Sequence, residues 1–432
     1  MTAPFSIPST WSEWDRFPGG LPRPRKELER LHRIWAQGEP VLLYGSRGVG
    51  KSTLLRQFAG RLQQEGLDRK RIRYLDLEDP IWAPRPDAQS IAQMIENKPG
   101  PPGLVLLDGL PPFGGSPPSG TEWGELASRL LGRGIRVLAS QTAPPQGESP
   151  KGWRGMPLLP MGLSEWMKIF TDKSVDMGRI ESTLRAYLFA GGLPVSRNFS
   201  GRRSVLLELF QRSLLLDVLM QKKVRDPEIL TAVAVSLLGR TGQGVSASSL
   251  KGRLCRSIDQ ARMFLVHLQR AGLIFLVPRI ADASRAVAQS SRLVFAADTG
   301  LAHALGVDDL EVLALNAVFL ECLRLGLTVQ HWSAKGRKGL FLKLMDNPGV
   351  LVDVQWPGPS GRADLRPIEQ AMKERPEALG LFLMPGIESA RLGGLARQDL
   401  GTWLINPRLD ADTKIPTAKP VKKDNGIASH LL

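Results

Sequence analysis

One segment near the N-terminus carries most of the information about the fold of this chain: VLLYGSRGVGKST at residues 41–53. Four apolar residues lead into a glycine-rich turn, and residues 45–52 satisfy the pattern G-x-x-x-x-G-K-[ST] in full. Leucine and phenylalanine then recur at helical spacing over residues 51–65. A strand, a glycine-rich loop and an amphipathic helix in this order predict a phosphate-binding loop. The alternative is a glycine-rich turn that matches the pattern by chance.

The residue types in the loop suit a nucleoside triphosphate, with ATP and Mg²⁺ as the expected ligands. Glycines let the backbone turn so that successive N–H groups point at phosphate oxygens, and the following helix adds the positive end of its dipole. Lys51 is expected to reach the β- and γ-phosphates, and Ser52 to offer its hydroxyl to Mg²⁺. The predicted nucleotide-binding residues are Gly45, Ser46, Arg47, Gly48, Val49, Gly50, Lys51, Ser52 and Thr53.

A second motif, LVLLD at residues 104–108, predicts an apolar strand ending in Asp108, a second Mg²⁺ ligand. The alternative is an ordinary buried strand that ends at a turn. A glutamate that activates the attacking water is expected next, but this chain has Gly109. Slow hydrolysis is therefore expected unless a nearby acid such as Glu78 or Asp79 substitutes. The absence of this glutamate need not weaken nucleotide binding.

Three further residues are candidates for catalysis. Ser140 ends the next predicted strand, where it either lies near the γ-phosphate or caps a turn. Arg154 and Arg133 are candidates for an arginine that stabilises charge in trans, the alternative being solvated surface arginines. The predicted catalytic set is Lys51, Asp108, Ser140 and Arg154.

The segments around the loop alternate between strands and helices. Short apolar strands are predicted at residues 41–44, 71–76, 104–108 and 136–140, with helices between them. This βαβ order predicts an α/β fold in which a parallel sheet is covered by helices on both faces.

Composition narrows the class of protein. The 432 residues exceed one ordinary core, so about two to four domains are expected. The two cysteines, Cys255 and Cys322, are far apart, which excludes a disulfide framework or a cysteine-rich zinc site and suits a reducing cytoplasm. No apolar run approaches the ~20 residues that cross a bilayer, and the N-terminus lacks the pattern of a secretory signal. A cytoplasmic protein with no membrane partner is expected.

The charge distribution points to a polyanionic partner. The net charge is +15, and residues 201–292 carry 15 Lys and Arg against 6 Asp and Glu, so +9 lies in about a fifth of the chain. Concentrated positive charge attracts nucleic acid. The alternative is a basic surface that only aids solubility.

Several motifs together resemble the bacterial and archaeal AAA-type ATPases that carry a phosphate-loop domain, a winged helix and a C-terminal domain related to restriction nucleases. The similarity rests on GSRGVGKSTLL at residues 45–55, YLDLEDP at 74–80, LVLLDG at 104–109, YLFAGGLP at 187–194 and RLVFAADTGL at 292–301. The chain departs from the family's pattern at Gly109, where a glutamate is usual. The resemblance implies an oligomeric, nucleotide-driven protein.

Residues 246–271 predict a helix–turn–helix, with Ser257 and Gln260 forming a capping box, and residues 273–296 add two strands of a β-wing. The core-facing residues of the second helix are predicted to be Ile258, Ala261, Leu265 and Leu268. A basic helix and wing suit duplex DNA bound mainly through its backbone and with weak sequence specificity. The alternative is a module for packing or oligomer contacts. The predicted DNA-binding residues are Lys251, Arg253, Arg256, Arg262, Arg270, Arg279 and Arg285.

The C-terminal region is interpreted through the same resemblance. Nuclease-like relatives bind metal through an acid in the first helix, an acid on one strand and a Glu-x-Lys on the next. The corresponding positions here are Leu315, Gly339, Asp353 and Gln355. One acid remains and the lysine is absent, so an inactive, structural or partner-binding domain is predicted. Glu321 is expected on the surface of its helix.

The domain prediction is a lead-in at residues 1–40, a phosphate-loop ATPase core at 41–162, a helical lid at 163–224, a winged helix at 225–298, a nuclease-like α/β domain at 299–406 and a disordered basic tail at 407–432. Three functions remain open. The first is a homo-oligomeric ATPase or switch acting on duplex DNA, with a possible protein partner on the C-terminal domain. The second is a nucleotide-binding scaffold that does not hydrolyse, and the third is an ATP-gated nuclease, which the missing acids disfavour.

Overall fold

The computed structural model describes residues 23–79, 87–96, 100, 102–111, 121–142, 152–170, 180–194, 201–220, 224–280, 292–334, 336–343, 349–358 and 361–408. The chain divides into two compact units, Met1–Leu158 and Leu159–Leu432. Most of the predicted lead-in and of the predicted basic tail lies outside the described residues, as does Arg285.

The first unit contains a parallel sheet of five strands in the order β2-β3-β4-β1-β5. Its strands are β1 Val41–Tyr44, β2 Ile72–Asp76, β3 Leu104–Leu110, β4 Arg136–Gln141 and β5 Arg154–Pro157. Its helices are α1 Glu27–Trp35, α2 Lys51–Gln64, α3 Ala88–Glu96 and α4 Thr121–Gly132. The predicted α/β fold class is confirmed, and each of the four predicted strands is present.

The two faces of this sheet differ in chemistry because side chains alternate along each strand. On one face Leu75 and Val105 join the apolar residues of α3 and α4 in a single buried core. Helix α2 packs against β3 and β4. On its side the strands carry Asp76, Asp108 and Ser140 at or within two residues of their carboxyl ends, and β3 continues to Leu110, past its predicted end at Asp108. Ligands of parallel α/β sheets bind at the carboxyl ends of the strands, so these residues mark the functional edge.

The second unit begins with helices and a small antiparallel sheet. Its first helices are α5 Leu163–Phe170, α6 Ile180–Ala190 and α7 Arg202–Ser213, which continues as a π-helical segment, Leu214–Leu219. They are followed by α8 Pro227–Leu238, β6 Gly244–Val245, α9 Ala247–Lys251, α10 Ile258–Arg270, β7 Ile274–Val277 and β8 Arg292–Ala296. The three strands pair antiparallel in the order β6-β8-β7.

A six-stranded mixed sheet occupies the C-terminal part of this unit, in the order β13-β14-β12-β11-β10-β9. Its strands are β9 Thr328–Ala334, β10 Arg337–Lys343, β11 Val350–Val354, β12 Leu379–Met384, β13 Ala390–Leu392 and β14 Leu395–Asp399. Strands β11, β12 and β14 run parallel. The accompanying helices are α11 Thr299–Ala304, α12 Leu310–Arg324, α13 Arg366–Glu374 and α14 Leu400–Ile405.

Two glycine-containing motifs of the second unit pack directly on each other. Asp298 is 1% exposed and its carboxylate accepts hydrogen bonds from the backbone N–H groups of Gly192, at 2.7 Å, and Leu301, at 3.0 Å. A Cβ on Gly191 would lie 2.1 Å from Asp298 Oδ1, and one on Gly300 would lie 2.2 Å from the carbonyl oxygen of Ala190. Glycine is therefore required at both positions, because any side chain would force the two segments apart.

Two sequence predictions about burial are wrong. Ile258, expected in the core, is 36% exposed because it is the first residue of α10 and has no preceding turn to pack with. Phe264 is buried in that helix instead. Glu321, expected on the surface of α12, is 4% exposed and accepts a hydrogen bond from Arg324 Nε at 2.8 Å. A buried carboxylate needs such a partner.

Within the described ranges, no helix combines the length and the apolar character needed to cross a bilayer.

Candidate functional site: the phosphate loop and the strand ends

The predicted phosphate loop connects β1 to α2 and requires glycine for steric reasons. Gly48 and Gly50 have φ of 78° and 98°, a left-handed conformation that residues with a Cβ rarely adopt. A Cβ on Gly45 would lie 2.1 Å from the carbonyl oxygen of Leu158. The ammonium of Lys51 donates to the carbonyl oxygens of Gly45 and Ser46, at 2.8 and 2.9 Å. Lys51 thus folds back across the loop.

An arginine that precedes α1 braces the loop from outside. Arg25 is 5% exposed and its Nη1 donates to the carbonyl oxygen of Val49 at 2.8 Å. Its Nε also lies 3.3 Å from the carboxylate of Glu27. Sequence reasoning missed Arg25, because a contact between residues 24 positions apart leaves no periodic signal in the sequence.

Asp108 is held by two hydroxyl groups at the end of β3. The phenol of Tyr74 donates to Oδ2 at 2.6 Å, and the hydroxyl of Ser140 donates to Oδ1. Burial, followed by the charge of Asp108, raises the pKa of the Tyr74 phenol, which therefore stays a donor. Ser140 Oγ also accepts from the N–H of Gly109 at 3.0 Å. Ser140 is fully buried and positions Asp108 and the residue after it.

The end of β2 brings a second carboxylate beside the first. Asp76 is the register partner of Asp108 on the neighbouring strand. Burial, and then the negative charge of Asp108, raise the pKa of Asp76. Two adjacent carboxylates repel each other, and a divalent cation relieves this repulsion. Asp108 and the exposed Ser52, at the start of α2, are oxygen ligands of the kind that Mg²⁺ uses.

In the described ranges, no group of three or more His, Cys, Asp or Glu side chains has the arrangement of a metal site. An all-protein cage is not needed for Mg²⁺ at a nucleotide site, because water and phosphate oxygens complete its shell. The residues at this edge therefore fit Mg²⁺ bound together with a nucleotide.

The position after Asp108 is occupied by another segment. Gly109 has φ of 80°, and a Cβ on it would lie 2.7 Å from Cγ of Glu78. Glu78 belongs to the turn that follows β2, and its carboxylate accepts from Arg47 Nη1 at 2.7 Å and from Nη2 at 2.9 Å. Glu78 therefore fills the space in which a side chain at position 109 would begin.

The remaining catalytic candidates lie at the opposite edge of the same sheet. Arg154 is the first residue of β5 and pairs with Val41, at the amino end of β1, whereas the loop follows the carboxyl end. Arg133 follows α4 and lies 3.4 Å from the carboxylate of Glu96. Neither arginine reaches the phosphate loop of its own first unit, so a role for either in trans stays a prediction.

Among the predicted DNA-binding side chains, Arg270 is half-buried, and the exposed Arg279 follows β7 and forms a β-bridge with His331 of β9. The four exposed side chains on and between α9 and α10 form a basic surface: Lys251, Arg253, Arg256 and Arg262. Two of them have acidic neighbours: Arg256 lies 3.2 Å from Asp226, and Arg262 lies 3.4 Å from Asp259. These pairs reduce the net positive charge that the surface presents.

The caps of the two helices differ in part from the prediction. Ser257 accepts from the N–H of Gln260 as predicted, but the Gln260 side chain accepts from the N–H of Arg256 instead of closing a reciprocal box. A reciprocal capping box does occur one helix earlier, between Ser246 and Ser249 at the start of α9.

The C-terminal positions inferred from the nuclease resemblance need correction. Leu315 and Gly339 supply no ligand, and a Cβ on Gly339 would lie 2.4 Å from the Trp332 ring. The acid that α12 contributes is Glu311, so two acids are present and not one. Arg337 bridges them, with Nε 2.9 Å from Asp353 Oδ1 and Nη2 2.8 Å from Glu311 Oε1.

The protein itself compensates part of the charge of this acidic pair, because the guanidinium of Arg337 faces both carboxylates. Asp353 is fully buried, and Gln355 Nε2 donates to its second oxygen at 3.0 Å. Burial raises the pKa of Asp353, and the Arg337 guanidinium opposes that shift. Arg337 therefore takes the place that a metal ion would have between the two carboxylates. Sequence reasoning missed Glu311 and Arg337 because they lie on separate elements, α12 and β10.

Two protein families match parts of the chain. Residues 37–110 match the AAA domain, and residues 181–311 match a domain of unknown function, DUF8612. The first match spans the phosphate loop and Asp108. Over residues 37–110 the chain is therefore similar to AAA domains.

Individual proteins are similar over longer ranges. An uncharacterized protein of Haemophilus influenzae is 26% identical over 314 residues, which is 67% of this chain and 75% of that protein. A Walker-type ATPase of Pyrococcus abyssi is 15% identical with a TM-score of 0.43, over 68% of this chain and 99% of that one. AMPPCP-bound DnaA from Aquifex aeolicus is 13% identical with a TM-score of 0.27, over 57% and 86%. With TM-scores below 0.5, neither solved structure supports an inference about what this chain binds.

Proposed function

We propose that this chain is a Mg²⁺-dependent ATPase of the AAA type that turns over slowly and acts as an oligomeric switch on duplex DNA. The observation that carries this proposal is the arrangement of the loop and the strand ends. The loop leaves β1, whose neighbour β4 carries Ser140 one residue before its end, and Ser140 donates a hydrogen bond to Asp108. A phosphate-binding cation that follows β1 and a metal-binding carboxylate on β3 thus lie at the same edge of the sheet, on either side of β4.

Triphosphate binding follows from the groups that the loop offers. The ammonium of Lys51 is held by the carbonyl oxygens of Gly45 and Ser46. Phosphate oxygens are better partners for an ammonium than neutral carbonyls because they carry charge. The first turn of α2 adds backbone N–H groups and the positive end of its dipole. These features favour a nucleoside triphosphate, and ATP is the nucleotide proposed.

Mg²⁺ would be held by the hydroxyl of Ser52 and the carboxylate of Asp108, directly or through water. When bound, it neutralises the charge that develops on the phosphate oxygens. Tyr74 and Ser140 fix the orientation of the Asp108 carboxylate before any metal arrives. Such support is typical of residues that bind metals, because a fixed ligand loses less freedom on binding.

Duplex DNA is the partner that the charge distribution favours. The basic surface at α9 and α10 carries four exposed cationic side chains, and the antiparallel strands β7 and β8 would form the two sides of a wing. This helix–turn–helix and wing would contact the phosphate backbone, with weak sequence preference. Arg154, remote from the loop of its own first unit, would then act on the loop of a second copy.

The C-terminal sheet is proposed to be structural or to bind a protein partner. Asp353 of this sheet and Glu311 of the adjoining helix α12 already share the guanidinium of Arg337. Because an internal cation occupies the space between them, metal-dependent DNA cleavage is not proposed for this region.

A direct test measures phosphate release by the purified chain with Mg²⁺ and ATP, with and without duplex DNA. The proposal expects slow release that duplex DNA stimulates. Mass measurement with ADP, with ATP, and with ATP plus duplex should show larger assemblies with ATP.

Lys51→Ala should weaken Mg-ATP binding about 100-fold or more, because it removes the charged partner of the phosphates. Lys70→Ala, an exposed lysine of the same unit, is the matched control.

A nucleotide-binding scaffold without turnover is the second candidate, and Gly109 is the observation that favours it. Saturable ATP binding with no phosphate release, in the presence or absence of duplex, would select this scaffold. Absence of any heat or saturation with ATP and Mg²⁺ would rule out both candidates.

A further inference from the structure

We infer that Arg47 and Glu78 form a nucleotide-controlled latch, in which Glu78 is the carboxylate that activates the attacking water and the triphosphate releases it by binding Arg47. This inference rests on the proposed ATP hydrolysis and assigns the general base that the sequence lacks after Asp108. It also implies that the Glu78 carboxylate stays bound to Arg47, and cannot act as the base, until a nucleotide is bound.

The position of Glu78 is the first argument. Its carboxylate lies at the carboxyl edge of the sheet, next to the residue that follows Asp108, where a water-activating acid would normally begin. Gly109 leaves the required space, because a Cβ there would meet Glu78 Cγ at 2.7 Å. The glycine and the displaced glutamate are therefore two parts of one arrangement: the acid comes from the turn after β2, not from the end of β3.

The anchoring of this turn is the second argument. The N–H of Glu78 donates to Asp76 Oδ1 at 3.0 Å, and the N–H of Leu77 donates to the carbonyl oxygen of Asp108 at 2.8 Å. The backbone is thus tied to both strand ends. Reorientation of the carboxylate then needs only side-chain rotation, while the backbone keeps the acid beside Asp108.

The partner of Glu78 is the third argument. Arg47 lies inside the phosphate loop and binds the carboxylate through two parallel hydrogen bonds, at 2.7 and 2.9 Å. Their side chains are only 13% and 30% exposed, so the pair is partly shielded from water. A guanidinium binds phosphate in the same bidentate way as it binds carboxylate. A triphosphate in the loop therefore competes directly with Glu78 for Arg47.

The released carboxylate would act as a general base. Glu78 accepts a proton from the attacking water as the water oxygen bonds to the γ-phosphorus. The bond between that phosphorus and the β–γ bridging oxygen breaks, and its electron pair leaves with ADP. The products are ADP and inorganic phosphate, and Glu78 then returns its proton to solvent, so no further reactant is needed.

The latch predicts that one substitution moves binding and turnover in opposite directions. Glu78→Gln is isosteric but cannot accept the proton and binds Arg47 less strongly. We expect ATP turnover to fall at least about 100-fold, the usual effect of removing a general base. The Kd for a non-hydrolysable ATP analogue, measured in the presence of Mg²⁺, should instead decrease several-fold. In this variant Arg47 is held less strongly and is more easily bound by the phosphates. A purely structural role would weaken both.

Glu39→Gln is the matched control, since it makes the same substitution at an exposed glutamate of the first unit. Its turnover and analogue Kd should each stay within about twofold of the parent chain, and thermal melting should show that both variants fold. The assignment of Glu78 as the base fails if Glu78→Gln keeps its turnover, or if Glu39→Gln loses turnover instead. The latch fails if Glu78→Gln binds the analogue no more tightly than the parent chain.

The outcomes also separate this inference from the proposed function. A parent chain that binds no nucleotide overturns the proposed ATPase itself. A parent chain that binds the analogue but never releases phosphate overturns the catalytic role of Glu78 and leaves nucleotide binding standing. If the parent chain hydrolyses ATP and Glu78→Gln keeps the same turnover, only the role inferred for Glu78 is overturned, and the proposed ATPase function stands.

Discussion

Tyr74 donates its phenolic hydrogen to Asp108 across the β2–β3 pair, at 2.6 Å between the two oxygens. The two residues are separated by 34 positions in sequence, and the Asp108 carboxylate is nearly buried. A buried carboxylate that loses a donor is left with part of its desolvation cost uncompensated. The orientation of the metal-binding acid therefore depends on a tyrosine that the phosphate-loop motif does not contain.

Replacement of Tyr74 by Phe should destabilise the first unit and weaken Mg²⁺-dependent nucleotide binding. We expect a loss of about 1–3 kcal/mol in the free energy of unfolding, because a hydrogen bond to a charged group is removed from a buried site. Urea denaturation measures this loss. Tyr44→Phe is the control, since Tyr44 is half-buried at the end of β1 and lies near a cation, Arg30, instead of a carboxylate. Equal losses of unfolding free energy in the two variants would show that the hydrogen bond from Tyr74 to Asp108 contributes nothing specific.

Removal of two charges from the basic surface should weaken duplex binding and its dependence on salt. Lys251 and Arg262 are both exposed, and the double substitution to Ala should reduce the slope of log K against log salt by roughly 2, about 0.9 per lost phosphate contact. Fluorescence anisotropy at several salt concentrations measures the slope. The pair Lys373→Ala and Arg391→Ala removes the same charge elsewhere. An unchanged slope in the first double variant would exclude this surface as the DNA site.

Arg337→Ala should be strongly destabilising because it leaves Asp353 buried without its cation. Breaking one side of a buried ion pair costs about 3–5 kcal/mol, and Asp353 is fully buried. Chemical denaturation of the whole chain measures the change. Arg366→Ala is the matched control: its pair with Asp364 is exposed and screened by water, so its loss should cost far less stability. Similar costs for the two variants would show that Arg337 is not the essential counter-ion.

Stability should also depend on the protonation of Asp298. Burial raises the pKa of Asp298 from 3.8 to about 6, so between these values the folded chain binds a proton that the unfolded chain does not. The stabilisation from this group is complete below about pH 4 and is lost as the pH rises through 6. Relative to Asp298→Asn, the parent chain should gain about 1 kcal/mol in unfolding free energy between pH 7.5 and pH 5.

Denaturation of both chains at the two pH values measures that difference. Asp364→Asn, at an exposed acid whose pKa is lowered to about 2, should show no such gain over this range. A constant difference between the parent chain and Asp298→Asn would mean that Asp298 stays charged in the folded state at both pH values.

Prediction from sequence succeeded where the information is contiguous. The strand, glycine turn and helix at residues 41–64 were all identified, because each follows from local spacing and from the conformational demands of glycine. The parallel sheet also followed, since alternating strands and helices allow few other arrangements. The acids Asp76 and Asp108 lie at neighbouring strand ends for the same reason.

The sequence by itself determined that this chain would form a phosphate loop on a parallel sheet, because those patterns are local and periodic. Only the tertiary structure decided which distant side chains would meet there. The pairs Arg47–Glu78, Arg25–Val49 and Arg337–Asp353 join residues on separate elements. Such contacts depend on how packed segments bring their side chains together, and the same packing decided that Ile258 is exposed while Glu321 is buried.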